Sequence, residues 1–432
     1  MSTPIRDRVY RAGGGPEMSV RGERSEGAGV KLCVDAGPIE NGHRVRGIGS
    51  CTQSLLGALT PELLSRHGVE MRYLKRTPLE EEVPAGGRFA RRSRVAGWIG
   101  TGGRLPSRLT MRWRAFAGAV GMAADVEAAG GEVFLSTDPD AIPLSPHFLT
   151  IALLYDLIPL RFRGEYLPRH AFVRRANYTW QIRRLRRADH LIAISEATRQ
   201  DAIELLGIPP GRISVAHLAV DRDRFRPRAQ EAARAVVAER FGVDRPYFLY
   251  VGSVDARKNI AGLIDAFSRV MESCDAALVM AGEPGKAGDQ LRRQLARTPA
   301  RERIHWTGYV TEEDLPFLYA GSLALAYPSL YEGFGLPVLE AMSCGAPVLT
   351  SPLSSLPEVA GEAALYADPG STPELAAALR RLAAEPGLRE ELRARGLERA
   401  RRFSWTDTAE RVLEVCGAAH AGRIPVLHGR SG

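Results

Sequence analysis

The chain has 432 residues and a formal net charge of +8, with 45% hydrophobic and 25% charged residues. This composition is typical of a soluble globular protein, and the length predicts two domains of roughly 200 residues each. No apolar run reaches the ~18 residues that cross a bilayer, and the basic charge favours an acidic partner: nucleic acid, anionic lipid or a phosphorylated substrate.

The cysteines and histidines argue against a disulfide framework and against a metal site. The five cysteines are odd in number, far apart and free of any CxxC pair: Cys33, Cys51, Cys274, Cys344 and Cys416. The nine histidines show no metal-binding spacing, so we expect free thiols, no metal and no cofactor. The N-terminus lacks the apolar core of a signal peptide, which predicts a cytoplasmic protein.

The first half opens with a polar, glycine-rich segment, residues 1–30, that we predict to be a disordered tail. A buried strand is predicted from Lys31, followed by a loop with Gly47 and Gly49 and then a helix over residues 51–67. This order is typical of a doubly wound sheet. The glycine spacing is not GxGxxG, so it does not indicate a dinucleotide site.

Between residues 72 and 114 the periodicity weakens, and arginines lie beside aromatic residues such as Phe89, Trp98 and Trp113. This pattern fits a surface that contacts an anionic membrane. It also fits a solvated face that is rich in arginine. Both interpretations stay open.

Further strands are predicted over residues 133–135 and 149–154, and Tyr155 and Asp156 follow the second one. Polar residues at the carboxyl end of a buried strand are where open α/β sheets contact ligands. The rest of this half is predicted as a basic helix (170–187), a strand (190–194), a helix capped by Ser195 (196–206), a strand (213–216) and a linker (221–227).

The second half begins with a predicted strand over residues 247–251, and the loop after it contains Ser253, Arg257 and Lys258. Cationic side chains at a strand-to-helix junction favour a phosphate ligand, whereas an ordinary surface loop would carry them as solvated charges. Three later strands, separated by helices, predict a parallel sheet covered on both faces: residues 277–281, 304–306 and 323–327.

Residues 327–351 read YPSLYEGFGLPVLEAMSCGAPVLTS, which predicts a strand, a glycine turn, a short helix and a strand. Gly335 and Pro337 fit the start of that helix. Unpaired N–H groups at a helix N-terminus favour an anion, and Glu332 and Glu340 could accept hydrogen bonds from hydroxyls of the same ligand. The alternative is a structural turn with solvated carboxylates.

After this stretch the sequence predicts a turn over residues 356–361, a short strand over residues 364–366, and three helices: residues 372–385, 388–402 and 405–418. The loop with Arg257 and Lys258 and the turn with Glu332 both follow strands of one parallel sheet. We therefore expect them to face one ligand at its carboxyl edge.

Four segments resemble retaining glycosyltransferases of family four: residues 251–260 (VGSVDARKNI), 332–351, 354–369 (SSLPEVAGEAALYADP) and 403–413 (FSWTDTAERVL). Two more look most like bacterial mannosyltransferase-like enzymes of surface polysaccharide synthesis: residues 46–50 (RGIGS) and 155–162 (YDLIPLRF). The resemblance implies an α/β GT-B fold, in which two Rossmann-like domains face a cleft. These would be an acceptor-side domain (31–225) and a nucleotide-sugar domain (226–402), with a helix (403–420) that crosses back.

The resemblance also implies roles for single residues. Glu340 would bind the ribose hydroxyls, Glu332 the transferred sugar, and Lys258 with Arg257 the diphosphate. Further donor contacts would come from Ser253, Gly333, Phe334, Gly335 and Leu336, and from Tyr309 and Val310 beside the base. The acceptor side would include Gly47, Ile48, Gly49, Tyr155 and Asp156.

Three positions differ from the common family pattern. Tyr155 stands where many relatives have a sugar-binding histidine, Ser253 stands where many have an arginine, and Ala219 stands where a glycine is frequent. Phosphate binding would therefore depend more on Lys258 and Arg257.

The function implied by the resemblance is metal-independent transfer of a hexose, with retention, to a glycan or lipid-linked acceptor. The donor would be GDP-mannose or a UDP sugar such as UDP-glucose. A catalytically silent protein that binds a nucleotide sugar is the alternative. Peripheral contact with an anionic membrane is expected on its cytoplasmic face, and nucleic acid is a disfavoured partner.

Overall fold

The computed structural model describes residues 29–40, 47–75, 88–91, 119–139, 142–143, 145, 147–168, 170–283 and 288–427. The predicted disordered tail, up to residue 28, and most of the arginine-rich region lie outside the described residues. Val30, which the tail prediction included, instead begins the first strand.

The first half contains seven described strands: β1 Val30–Asp35, β2 Val69–Lys75, β3 Arg88–Arg91, β4 Val133–Ser136, β5 Leu149–Leu154, β6 His190–Ala193 and β7 Ile213–Val215. They form one parallel sheet in the order β3-β2-β1-β4-β5-β6-β7. Strands β4 and β6 are buried along their whole length, as expected where helices cover both faces.

Helices on this half are short or of moderate length. Those with both ends described are Gly37–Glu40, Gly47–Ala58, Pro61–Arg66, Ile158–Arg161, Arg163–Tyr166, Phe172–Leu185 and Glu196–Leu206, with a 3-10 turn at Pro210–Arg212. Residues 119–128 are also helical. Ser195 caps Glu196–Leu206 as predicted, because its Oγ accepts a hydrogen bond from Thr198 N at 3.0 Å.

The described residues of the second half contain six strands: β8 Tyr247–Val251, β9 Ala277–Ala281, β10 Ile304–Gly308, β11 Ala324–Tyr327, β12 Val348–Thr350 and β13 Leu365–Tyr366. They pair in parallel in the order β10-β9-β8-β11-β12-β13. The predicted pair of parallel, helix-covered sheets is therefore confirmed.

The α-helices of this half are Gln230–Phe241, Ile260–Ser268, Gly288–Arg297, Leu315–Gly321, Leu336–Ser343, Leu356–Ala360, Thr372–Ala384, Pro386–Ala400 and Trp405–His420. Short 3-10 turns occur at Ala256–Lys258 and Arg301–Arg303. No helix in the described part of the chain is both long and apolar enough to cross a membrane.

The last helix, Trp405–His420, packs on the first half of the chain against Gly47–Ala58. Thr408 donates a hydrogen bond to the carbonyl of His217 at 2.7 Å, and Glu410 pairs with Arg66 at 3.1 Å. The boundaries that we give to the two domains stay predictions.

Each sheet reverses its strand order once, between β1 and β4 and between β8 and β11. In open α/β sheets, ligands bind in the crevice at the carboxyl ends of the strands beside such a reversal. The loops after β8 and β11 are therefore the places where the second sheet can form a site.

The helix predicted over residues 51–67 is wrong in both its start and its continuity. Pro61 has no N–H for the helical ladder, and Thr60 Oγ1 accepts from Leu63 N at 3.3 Å, so a new helix begins there. Gly47 and Gly49, predicted to precede the helix, lie in the first turn of Gly47–Ala58.

Two further parts of the prediction are corrected. Strands β2 and β3 occupy positions where the sequence predicted only weak periodicity. The predicted turn at residues 356–361 is the helix Leu356–Ala360, which ends at Gly361 with φ of 54°.

Candidate functional site

Three charged side chains meet where the second sheet reverses its strand order. Arg257 Nη1 lies 2.7 Å from Glu332 Oε2, and Lys258 Nζ lies 2.9 Å from Glu332 Oε1. Only 7% of Lys258 and 7% of Glu332 is exposed. One buried carboxylate thus bridges two cations, and Arg257 Nε also lies 3.8 Å from Asp255 Oδ1.

The two strands next to the reversal explain why these residues meet. Strand β8 ends at Val251, and its loop runs into the 3-10 turn that contains Arg257 and Lys258. Strand β11 is its parallel neighbour and leads into the turn with Glu332. Asp255 begins the 3-10 turn, because its Oδ1 accepts from Arg257 N at 3.1 Å.

Tyr327, the last residue of β11, completes this cluster. Its hydroxyl donates to Glu332 Oε1 at 2.8 Å and accepts a hydrogen bond from Lys258 Nζ. The Lys258 ammonium also lies 4.7 Å from the centre of the Tyr327 ring. The ring itself is fully buried and stacks on Tyr250 at 6.2 Å. We call these four residues, Arg257, Lys258, Tyr327 and Glu332, the charged cluster.

The charged cluster keeps Glu332 ionised. Burial alone would raise the pKa of Glu332, but Lys258 and Arg257 outweigh it and lower the pKa to about 2. Burial lowers the pKa of Lys258, and the Glu332 charge offsets part of that change. The cluster is therefore a compact ion pair network with little access to water.

The turn after Glu332 exposes the N-terminus of the helix Leu336–Ser343. Gly335 precedes it with φ of 104°, a conformation that favours glycine. Ser355 Oγ donates to the carbonyls of Glu332 at 3.0 Å and Phe334 at 2.8 Å, which fixes the turn. Pro337 lies in the first turn of the helix as predicted and has no N–H, while Val338 and Leu339 donate to the Gly335 carbonyl. Among the first-turn groups that the structure describes, this leaves the Leu336 N–H to receive an anion.

Gly333 joins this turn to the first half of the chain. Its carbonyl accepts hydrogen bonds from Ser195 Oγ at 2.6 Å and Thr198 Oγ1 at 3.1 Å. A Cβ at Gly333 would lie 2.5 Å from the carbonyl oxygen of Tyr155 and 3.1 Å from Asp156 Cβ. The structure therefore brings the predicted donor and acceptor segments into direct contact.

Tyr155 and Asp156 point to different places. The Tyr155 hydroxyl bonds with Thr52 of the helix Gly47–Ala58, and burial raises the pKa of Tyr155 well above its usual value. Asp156 is exposed, and its Oδ1 accepts from Ile158 N at 3.0 Å. Because Tyr155 is buried, the Asp156 carboxylate is the more available polar group on the predicted acceptor side.

Glu340 lies apart from the charged cluster, about one turn along the helix Leu336–Ser343. The Tyr319 hydroxyl donates to Glu340 Oε2 at 2.7 Å. Burial raises the pKa of Glu340 to about 7, against the opposing effect of that hydrogen bond. Burial, and secondarily the charge of Glu340, raise the pKa of Cys51 to about 12. The helix that begins at Gly47, Ile48 and Gly49 therefore approaches Glu340.

The remaining predicted donor residues lie on the rim. Ser253 is exposed, and its carbonyl accepts from the Tyr250 hydroxyl at 3.2 Å. Tyr309 is 58% exposed and follows β10, and Val310 is half-buried. The contacts of these three residues with a donor stay predictions.

Several residues that the sequence did not single out also hold the two halves together. Tyr166 donates to Asp255, and Tyr331 donates to Asp201. Glu358 accepts from the N–H of Glu196 at 2.7 Å and lies 2.5 Å from His217 Nε2. The sequence could have indicated Tyr327, because it ends a buried strand next to the glycine turn.

No metal-binding cluster of three or more His, Cys, Asp or Glu is found among the described residues.

Two family models match separate parts of the chain. Residues 234–399 match "Glycosyl transferases group 1", and residues 145–224 match "Glycosyltransferase Family 4". The chain carries glycosyltransferase domains. The charged cluster and Glu340 lie in the group 1 domain, whereas Tyr155 and Asp156 lie in the family 4 domain.

Curated relatives of these domains include mannosyltransferases from Escherichia coli. The O-antigen chain mannosyltransferase B is 38% identical over 227 residues, which are 52% of this chain and 59% of the relative. The serotype-specific mannosyltransferase WbdA is 31% identical over 61% of this chain and 33% of the relative. The match thus spans between a third and about three fifths of these relatives' length.

Solved structures share the fold of the two glycosyltransferase domains. Sucrose-phosphate synthase from Thermosynechococcus elongatus has a TM-score of 0.67 at 21% identity and covers 91% of this chain and 100% of its own. WaaG, a glycosyltransferase involved in lipopolysaccharide biosynthesis, has a TM-score of 0.63 at 15% identity, with 90% and 99% covered. The GT-B fold predicted from the sequence is confirmed.

Proposed function

We propose that this chain transfers a hexose from a nucleoside diphosphate sugar to a glycan or lipid-linked acceptor, with retention of the anomeric configuration. One observation supports this proposal most strongly. Arg257 and Lys258 share a single carboxylate, Glu332, beside the N-terminus of the helix Leu336–Ser343. Two cations and the Leu336 N–H at one strand reversal would suit a diphosphate.

The charged cluster supplies two cations for this task. Both face Glu332, and Arg257 Nε also lies 3.8 Å from Asp255, so the donor phosphates would replace part of these ion pairs. As the sugar leaves, negative charge develops on the departing diphosphate, and preorganised cations and N–H groups stabilise it. Because Lys258 and Arg257 supply that positive charge, we expect transfer without a metal ion or another cofactor.

Retention is proposed to occur on one face of the sugar. The departing phosphate oxygen would take the proton from the acceptor hydroxyl as the new glycosidic bond forms, so no protein nucleophile is needed. Glu332 would hold the transferred sugar, and Asp156, across the cleft, would accept a hydrogen bond from the acceptor. The contact of Gly333 with Tyr155 and Asp156 supports this arrangement because it joins the two sides.

The donor is proposed to be GDP-mannose. Two E. coli relatives, at 38% and 31% identity, are named mannosyltransferases, and one of them is named for the O-antigen chain. We therefore propose a role in polysaccharide synthesis. UDP-glucose is the donor that the experiment must exclude.

Contact with an anionic membrane is proposed for the helix Phe172–Leu185. Residues 167–188 include seven arginines and no Asp or Glu. Phe172 is 69% exposed, and Arg174 and Arg175 are exposed beside it. Exposed cations around an apolar side chain favour an anionic lipid surface, which would bring a lipid-linked acceptor to the cleft.

The membrane contact can be tested by sedimentation with vesicles. We expect the full chain to pellet with phosphatidylcholine vesicles that contain phosphatidylglycerol and to remain in solution with phosphatidylcholine alone. The double variant R174E/R175E should pellet less, whereas R401E/R402E, an exposed pair on the other half, should not. Equal pelleting of both variants contradicts the proposal.

The transfer proposal is tested by release of nucleoside diphosphate from GDP-mannose and from UDP-glucose, with a lipid-linked glycan extract as acceptor. We expect release from GDP-mannose, unchanged by EDTA and lost in Lys258→Ala. Release from UDP-glucose alone would correct the donor. No release from either donor, with binding intact, would favour the catalytically silent alternative.

A further inference from the structure

Both the hydroxyl and the ring of Tyr319 make contacts inside the protein. Its hydroxyl donates to Glu340 Oε2 at 2.7 Å, and its ring packs edge-on against Phe225 at 6.2 Å. Tyr319 has no exposed surface, and its helix Leu315–Gly321 packs on the helix that carries Glu340. Within the described part of the chain, the Tyr319 hydroxyl is the one hydrogen-bond donor to the Glu340 side chain.

We propose that Tyr319 is a positioning residue that fixes one oxygen of Glu340, so that the other oxygen is presented to the ribose hydroxyls of the donor. This inference rests on the proposed function and on the role that the family resemblance implies for Glu340, which is to bind the ribose of the donor. A free carboxylate samples several rotamers, and each rotamer that binding must fix costs affinity. Tyr319 removes that cost before the donor arrives.

The charges around Glu340 give the hydrogen bond a second effect. The groups that face this carboxylate are Glu312, Arg224, Lys258, Cys51 and Cys344. Burial raises the pKa of Glu340 to about 7, and the Tyr319 hydroxyl acts in the opposite direction. Loss of the hydroxyl should therefore raise this pKa further, and fewer molecules would carry the ionised acceptor at neutral pH.

Tyr247 provides a matched control on the neighbouring strand. It is also fully buried, and its hydroxyl donates to the carbonyl of Leu318 at 2.9 Å. Tyr247→Phe removes a buried hydrogen bond of similar length next to the same helix without changing a contact to Glu340. A purely structural effect should appear in both variants.

The experiment measures the affinity of GDP and of UDP by calorimetry from pH 6.5 to 9. For whichever nucleotide binds, we expect Tyr319→Phe to bind about threefold more weakly at pH 7.5, with the pH midpoint moved up by about one unit. The difference should shrink at pH 9, where both carboxylates are ionised. Tyr247→Phe should follow the unchanged protein at every pH.

A second ligand distinguishes the positioning of Glu340 by Tyr319 from a general structural defect in the variant. The 2′,3′-dideoxy nucleotide lacks both ribose hydroxyls, so Tyr319→Phe should bind it as well as the unchanged protein does. The inference is overturned if Tyr319→Phe weakens binding of the ribonucleotide and of its dideoxy form equally. It is also overturned if Tyr247→Phe weakens ribonucleotide binding as much as Tyr319→Phe does. If Tyr319→Phe does not fold, the pH dependence of the unchanged protein is measured instead. Its affinity for the nucleotide must fall as pH drops through about 7, and Glu340→Gln must abolish that dependence.

Failure of the inference and failure of the proposed function give different results. If the unchanged protein binds neither GDP nor UDP, the proposed function is wrong and this inference is wrong with it. If the unchanged protein binds one of them and Tyr319→Phe matches it at all pH values, only the role of Tyr319 is overturned.

Discussion

The Tyr327 hydroxyl lies 2.8 Å from Glu332 Oε1, and both are buried at the end of the same strand and the turn that follows it. The same hydroxyl accepts a hydrogen bond from Lys258. Tyr327 thus sets the distance between the buried cation and the carboxylate that neutralises it. A site for a diphosphate needs this fixed geometry, since cations that are already oriented cost little to arrange during the reaction.

Removal of the Tyr327 hydroxyl tests that role. Tyr327→Phe keeps the ring and its stacking on Tyr250 but leaves one hydrogen bond of Glu332 unmade. We expect a loss of about 1 kcal/mol in the free energy of unfolding and a fall of about tenfold in kcat/KM. Tyr366→Phe, which loses a hydroxyl bond to the Gly361 carbonyl far from the cluster, is the control and should retain kcat/KM. An unchanged kcat/KM in Tyr327→Phe would show that the hydroxyl is structural only.

The ammonium of Lys258 should matter most for turnover. Lys258→Ala removes a cation that would stabilise the leaving diphosphate, and we expect kcat/KM to fall by at least about 100-fold. Lys31→Ala removes an exposed lysine in β1 and should have no effect. Thermal unfolding of both variants checks that they are folded. Full activity in Lys258→Ala would place the phosphate elsewhere.

The ion pairs of Glu332 predict a dependence of stability on pH. Lys258 and Arg257 outweigh burial and lower the pKa of Glu332 from 4.5 to about 2, so its stabilisation is present above about pH 4.5 and is lost as pH falls towards 2. Burial lowers the pKa of Lys258 at the same time, which reduces the net gain to about 1–3 kcal/mol.

Glu332→Gln measures this contribution. We expect urea unfolding to show a loss of about 1–3 kcal/mol at pH 7 that becomes smaller at pH 4 and smaller again at pH 3, where the unchanged protein begins to protonate Glu332. A loss that stays constant across this range would mean that the ionised carboxylate does not stabilise the fold.

The close approach of Gly333 to the first half should not tolerate a side chain. Gly333→Ala would place Cβ 2.5 Å from the Tyr155 carbonyl oxygen, so one of the two segments must move. We expect kcat/KM to fall by at least about tenfold, because a small misplacement at a reacting centre is costly. Gly387→Ala is the matched control, since nothing lies within 4 Å of its added Cβ. Equal activity in the two variants would contradict the close contact.

Much of the second half could be predicted from the sequence because its signals are local. Buried strands followed by glycine turns fix where a parallel sheet presents its loops. The sequence could therefore predict that the loop with Arg257 and Lys258 and the turn with Glu332 lie at one edge, but not that they form ion pairs. The two tyrosines could not be predicted in the same way. Which carboxylate Tyr319 or Tyr327 reaches depends on how helices pack across the sheet, and residue spacing does not determine that packing.

The first half was less predictable, although some of its signals were present. Strand β2 alternates Val69, Met71 and Tyr73, which are buried, with the charged Glu70 and Arg72, a period of two that indicates a half-buried strand. Pro61 marked the break in the first predicted helix. The surrounding arginines and glycines obscured both signals.

The central claim is that the second half of the chain binds a diphosphate at the charged cluster. A crystal structure of the full chain with GDP bound tests it most directly. The account predicts phosphate oxygens within about 3 Å of Lys258 Nζ and of the Leu336 N–H. A well-ordered GDP whose phosphates lie elsewhere, with the ion pairs of Lys258 and Arg257 to Glu332 intact, would contradict it.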